Sequence, residues 1–263
     1  MIALIGIDVD GTLVGSSGQV PDVIWQLAAE ARAAGIHLAL CSGRPAFGLA
    51  ADYARHLDDD GWHIFQNGAS VVNLATHESR STPLPEGSVR GLISHARETG
   101  QVLELYGDDD YVVESEAPWA SEHAELLGLP FKPRPYETLS PPLVRAQWLL
   151  SPEDAKRVVV PAGLEMADSS SPLMRDVRFV GLTRQGVSKG SAMREIAAAY
   201  RVDMRDVMYV GDSGNDLSAL RVVGHPIAMG NAEPEVIKAA QRTVGRVDEA
   251  GLADALRIAI SSR

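Results

Sequence analysis

Residues Ile2 to Ile7 form an unbroken apolar run that stops at Asp8-Val9-Asp10-Gly11-Thr12. Such a run, with no polar alternation, predicts a strand buried on both faces, as at the centre of a parallel sheet. A parallel neighbour requires a crossover, usually a helix. The next residues supply one, because Val23, Ile24, Leu27, Ala28 and Ala31 recur at helical spacing after Pro21 until Gly35, a residue suited to a left-handed cap. Ile36 to Cys41 reads as a second apolar strand, ending at Ser42-Gly43-Arg44-Pro45. A helix from about Pro45 to Leu57 and a short strand near His63 to Phe65 follow. This βαβαβ order predicts an α/β fold with a doubly wound, Rossmann-like parallel sheet.

The C-terminal part resumes the same order, with a helix from about Gly190 to Tyr200, a strand Val207–Val210, a turn Gly211–Asp216 and another helix. Between the two parts the pattern changes. A helix is followed by a hairpin (Val102–Tyr106, turn Gly107–Asp110, Tyr111–Glu114), a second helix, a connector carrying Pro130, Pro133, Pro135, Pro141 and Pro142, and further strands. The expectation is an α/β core made of residues 1–83 and 186–263, with an inserted α+β domain of residues 84–185 on hinges near Pro83–Pro85 and Thr183–Gly186. A chain of 263 residues is long enough for both parts to bury cores.

Charge narrows the partners. Lys and Arg number 24 against 35 Asp and Glu, a net charge of −11, and no basic cluster interrupts the acidic background. Nucleic acid and anionic membrane would be repelled at long range, which leaves a small ligand in a local site. The single cysteine, Cys41, ends an apolar strand and is assigned to packing. The first basic residue is Arg32, no stretch approaches the ~20 apolar residues of a membrane span, and no zinc-site spacing occurs. A cytoplasmic protein is expected, with its oligomeric state open.

In open parallel sheets ligands bind beyond the carboxyl ends of the strands. Four such places hold reactive side chains: Asp8 to Thr12, Ser42-Gly43-Arg44, Lys189-Gly190 at a helix start, and Gly211-Asp212-Ser213-Gly214-Asn215-Asp216. If the fold gathers them, Asp8, Asp10, Asp212 and Asp216 place up to four negative charges around the one positive charge of Lys189. Such crowding demands raised carboxyl pKa values or a bound cation. Oxygen ligands without Cys or His favour Mg²⁺. Glycine N–H groups and the Ser42 hydroxyl could then cradle phosphoryl oxygens, and the whole set suits phosphoryl transfer. Asp58/Asp60 and Asp108/Asp110 lie in triple-Asp runs and are expected to be solvated turns, while Trp119, Phe131 and Tyr136 are assigned to core packing.

The ordered set DVDGTLV, SGR, SKG and GDSGND resembles the four motifs of the haloacid dehalogenase superfamily of phosphohydrolases. The insertion between the second and third motifs is similar in position and pattern to the large α+β cap of the Cof-like sugar-phosphate phosphatases. The resemblance implies that Asp8 is a nucleophile forming an aspartyl-phosphate, and that Asp10 is the acid and base and lends its backbone carbonyl to Mg²⁺. It implies that Ser42, Gly43, Lys189 and Asn215 bind the substrate phosphate, that Asp8, Asp10 and Asp212 are metal ligands, and that Asp216 steers Asp212 or a metal-bound water. Arg44 and Asn67 stand as further substrate contacts, although Asn67-Gly68 also reads as a type I′ hairpin turn. The expected activity is Mg²⁺-dependent hydrolysis of a small phosphorylated metabolite, with the insertion closing over the site and setting specificity. A phosphosugar mutase and a non-catalytic metabolite sensor are the alternatives.

Overall fold

The computed structural model describes residues 1–171 and 173–262. In chain order its elements are β1 (Leu4–Asp8), α1 (Asp22–Ala33), β2 (His37–Cys41), α2 (Leu49–Asp58), β3 (Trp62–Phe65), β4 (Ser70–Asn73), α3 (Glu86–Thr99), β5 (Val102–Tyr106), β6 (Tyr111–Val113) and α4 (Pro118–Leu127). They continue as β7 (Arg145–Leu150), α5 (Pro152–Ala155), β8 (Leu164–Ser171), β9 (Met174–Arg184), α6 (Lys189–Tyr200), β10 (Val207–Gly211), α7 (Leu217–Leu220), β11 (His225–Ala228), α8 (Pro234–Ala239), β12 (Arg242–Thr243) and α9 (Leu252–Ile260). They form two compact units: residues Met1–Arg44 and Ala50–Arg80 with the chain from Ser188 onward, and Pro45–Leu49 with Ser81–Val187.

The first unit is built on a seven-stranded sheet in the order β12-β11-β10-β1-β2-β3-β4. All its pairings are parallel except β3 with β4. Every residue of β1 is buried, which explains the apolar run: β1 has β10 on one side and β2 on the other, so a polar side chain on either face would lose its water without gaining a partner. On one face Leu4, Ala39 and Tyr209 pack with Met193 and Ile196 of α6 and Leu220 of α7. Each fully buried aliphatic side chain of this kind contributes roughly 1.5–3 kcal/mol. Helix α2 starts at Leu49, later than the periodicity suggests. Gly48 takes a left-handed φ of 68°, and Phe47 packs in the second unit with Tyr111 at a ring distance of 6.2 Å.

The second unit holds a five-stranded sheet, β6-β5-β7-β9-β8, antiparallel throughout. Alternate residues serve its two faces: Leu103, Leu105, Trp148 and Val180 pack with Leu92 and Ala96 of α3, whereas Val102, Leu149 and Phe179 pack with Ala120 and Ala124 of α4. Trp119 and Phe131 pack against the α4-side cluster, and Tyr136 is buried with its hydroxyl donating to the Leu103 carbonyl. The hairpin read from residues 102–114 is formed by β5 and β6. A mostly parallel α/β core carrying an α+β insertion is the fold class expected from the sequence. Among the described residues no helix is long and apolar enough to cross a membrane.

Candidate active site

Parallel pairing carries the ends of β1, β2 and β10 to one edge of the sheet, since Asp8 lies opposite Cys41 and Ile7 opposite Val210. Asp8 therefore leaves β1 where Ser42 leaves β2 and Gly211 ends β10. Lys189 opens α6, whose preceding Ser188 and third residue Ser191 cap each other's backbone. The next residue, Gly190, lies so close to the Ser218 carbonyl that a Cβ there would collide with it. The helix start is thus pressed against the segment behind Asp216.

Lys189 is fully buried, and its ammonium donates to Asp8 Oδ1 at 2.5 Å and to Asp216 Oδ1 at 2.7 Å. Asp216 is filled by four donors: Lys189, the Tyr209 hydroxyl at 2.6 Å, and the backbone N–H groups of Asp212 and Ser213, each at 3.0 Å. A carboxylate has about four lone-pair sites, so Asp216 has little left for any ligand and acts as an anchor. Asp212 accepts weakly from Thr12 Oγ1 at 3.5 Å and from Asn231 Nδ2 at 3.3 Å. The same Asn231 amide donates to the Gly11 carbonyl at 2.8 Å, and its own oxygen accepts from the Val247 N–H at 2.8 Å. Gly11 has φ +89°, and a Cβ there would run into the Asp212 carboxylate.

Asp10 is placed differently. Its side chain is 59% exposed, and both its oxygens are held by Arg44, Nε to Oδ2 at 3.1 Å and Nη2 to Oδ1 at 2.5 Å. Ser42 is buried; its hydroxyl accepts from the Arg44 N–H at 3.0 Å, and its carbonyl accepts from the Asn67 N–H, also at 3.0 Å. Asn215 is exposed and donates from Nδ2 to Asn67 Oδ1 at 3.0 Å, while accepting from Ser213 Oγ at 2.9 Å. The structure thus gathers Asp8, Lys189, Asp212 and Asp216 tightly, and ties Asp10 to Arg44 and Asn215 to Asn67. Sequence reasoning missed Tyr209, Thr12 and Asn231. The available signal for Tyr209 was a hydroxyl inside a buried strand, which needs a partner there.

Burial, and then the charge of Asp216, push the Asp8 carboxyl well above the ordinary carboxylate range against the pull of Lys189. The same causes push Asp212 up to about 6. Burial alone would lower the Lys189 ammonium, but the Asp8 and Asp216 charges outweigh it and hold Lys189 above its ordinary value. These directions describe an excess of negative charge that one lysine does not offset. Asp8, Asp212 and Asp216 each bring a carboxylate oxygen within 4.8 Å of the others. With Asp216 saturated, Asp8 and Asp212 remain as the pair able to hold a hard divalent cation, and an oxygen-only donor set suits one.

A family model for haloacid dehalogenase-like hydrolases matches residues 5–140 and 174–256. The provisionally named phosphatase YxeH of Bacillus subtilis is 27% identical over 266 residues, with 97% of each chain covered. Among solved structures, a haloacid dehalogenase-like hydrolase from Bacteroides thetaiotaomicron superposes with a TM-score of 0.84 at 25% identity, covering 98% of this chain and 99% of that one. The subclass IIB sugar phosphatase BT4131 shares the fold at a TM-score of 0.78 and 24% identity, with 98% of both chains covered. The chain belongs to the haloacid dehalogenase-like hydrolases and is an enzyme of their phosphatase kind.

Proposed function

We propose that this enzyme is a Mg²⁺-dependent phosphomonoesterase for small phosphorylated metabolites, sugar phosphates foremost, working through an aspartyl-phosphate on Asp8. The observation that carries this reading is the buried Asp8 carboxylate, held at one oxygen by Lys189 at 2.5 Å beside a second carboxylate, Asp212. The name of the sugar phosphatase that shares the fold supports the substrate class.

In the first step the second Asp8 oxygen bonds to phosphorus as the ester P–O bond breaks. Asp10, in its protonated form and with one oxygen turned from Arg44 to the ester, gives that proton to the departing oxygen. In the second step water bonds to phosphorus and returns a proton to Asp10, and the acyl–phosphate P–O bond breaks to release Asp8 and inorganic phosphate. Lys189, Ser42, the Gly43 N–H and Asn215 hold the phosphoryl oxygens, so that binding and orientation precede chemistry. Mg²⁺, held by Asp8, Asp212 and the Asp10 carbonyl, would supply neutralisation of the charge gathered on those oxygens. Asp216 keeps Lys189 and the 212–213 backbone in place.

Hydrolysis of p-nitrophenyl phosphate and of a panel of sugar phosphates, with Mg²⁺ and after its removal by EDTA, tests the reading. Turnover is expected only with the metal. Asp8→Asn should lower kcat by at least about three orders of magnitude, and undiminished turnover would overturn Asp8 as the nucleophile.

A further inference from the structure

Gln66 and Asn67 take φ values of +52° and +56°, and Gly68 takes +106°, so three successive residues lie in the left-handed half of backbone space. The turn joins β3 to β4, whose register pairs Phe65 with Ser70. It does more than close a hairpin. The Gln66 N–H donates to the Arg44 carbonyl and the Asn67 N–H to the Ser42 carbonyl, both at 3.0 Å. A Cβ on Gly68 would strike the Ser188 carbonyl, immediately before Lys189. A Cβ on Gly43 would come within 3.2 Å of Asn67 Oδ1, so the Asn67 amide lies over the glycine. That amide oxygen also accepts from Asn215 Nδ2 at 3.0 Å. One three-residue turn therefore touches the 42–44 segment, the start of α6 and the 213–215 loop.

We infer that Asn67 is a positioning residue, which orients the Asn215 amide and fixes the Ser42–Gly43 backbone for phosphate without needing to touch it. The amide of Asn215 has two possible orientations. Asn67 Oδ1 accepts from its Nδ2 at one end and the Ser213 hydroxyl donates to its Oδ1 at the other, so the amide is held from both sides. Asn215 is exposed, so without Asn67 water would compete for its Nδ2 and the Ser213 bond at the other end would be left to orient the amide. Asparagine suits the position because it tolerates the left-handed region as well as offering the acceptor. This inference rests on the phosphatase reading above.

The test is the binding of inorganic phosphate to the full chain in Mg²⁺, by titration calorimetry, across a double-mutant cycle. Asn67→Gly keeps the left-handed backbone and its N–H while deleting the amide. Asn67→Gly and Asn215→Ala should each weaken phosphate binding by roughly tenfold, and the double variant should bind no more weakly than Asn215→Ala alone. Losses that multiply in the double variant overturn the inference. So does a lowered melting temperature with unchanged phosphate affinity, since that is a structural role alone. Asn67→Ser repeats the cycle if the glycine variant does not fold. A wild-type chain that hydrolyses phosphate esters but shows no coupling sinks the inference and leaves the phosphatase reading standing. One that neither binds phosphate nor hydrolyses any ester sinks both.

Discussion

Arg44 grips Asp10 by two parallel hydrogen bonds, so the residue that ends the β2 turn sets the direction of the carboxylate that follows β1. A bidentate pair of this kind adds geometric restraint as well as attraction. Arg44→Ala should therefore lower kcat for alkyl phosphates by about 10²-fold, within the range of general acid–base effects, and lower it far less for p-nitrophenyl phosphate, whose leaving group departs without a proton. Comparing the two substrates in one variant checks this. Arg44→Lys should not restore the alkyl rate, because a single ammonium cannot make the fork. Equal losses on both substrates would count against orientation of Asp10.

Lys189 pairs with two buried carboxylates, Asp8 and Asp216, and has no exposed side-chain surface of its own. Lys189→Met should destabilise the fold by about 3–5 kcal/mol, the usual cost of leaving one side of a buried ion pair alone, and should abolish phosphate binding. Urea unfolding reads the first effect. The companion Lys189→Met/Asp216→Asn should recover part of the lost stability, since it removes one of the stranded charges.

His63 offers a prediction about pH. Its Nδ1 accepts the Leu40 N–H at 3.1 Å and its Nε2 lies 2.8 Å from the Asp58 carbonyl, an arrangement that fits the neutral ring with its proton on Nε2. Burial holds its pKa down at about 4 against an ordinary 6.5. Between those values the unfolded chain binds a proton that the folded chain refuses, so stability present above about 6.5 is progressively lost as pH falls toward 4. The slope from this residue approaches about 1.4 kcal/mol per pH unit. Wild type and His63→Leu, unfolded in urea at several pH values, should differ in slope within that window and run parallel above it.

Gly11 meets Asp212 from the other side of the site. Gly11→Ala places a methyl group against the carboxylate at a φ of +89°. The backbone strain alone is worth about 1–2 kcal/mol, and displacement of Asp212 should raise the Mg²⁺ concentration needed for half-maximal activity. A metal titration of activity reads this. An unchanged midpoint would detach Asp212 from metal binding.

The sequence made the centre of the first unit legible because β1 is buried on both faces and cannot hide its periodicity. The start of α2 was not legible: Pro45 and Ala46 suit a helix locally, but Phe47 is drawn into packing with Tyr111 and Gly48 turns left-handed. Asp8 and Asp10 look equivalent as letters two apart. The burial of Asp8 at the end of β1 and the reach of Arg44 to Asp10 separate them. Thr12 and Asn231 were unreadable for another reason: each acts through a side chain about two hundred or about twenty positions away on the loop after β10, and no local pattern marks such a pairing. Asn67 was legible as a turn residue and not as a junction, since its partners come from two other segments, Ser42–Gly43 and Asn215.

The four donors around Asp216 have a further consequence. An anion whose every lone pair meets a fixed dipole resembles an ion in a crystal lattice more than one in solution, because it cannot reorient when charge shifts nearby. Lys189, pinned by that lattice, offers an arriving substrate the same field that the transition state will need. The solvent relaxation that slows ionic reactions in water is thereby completed when the chain folds.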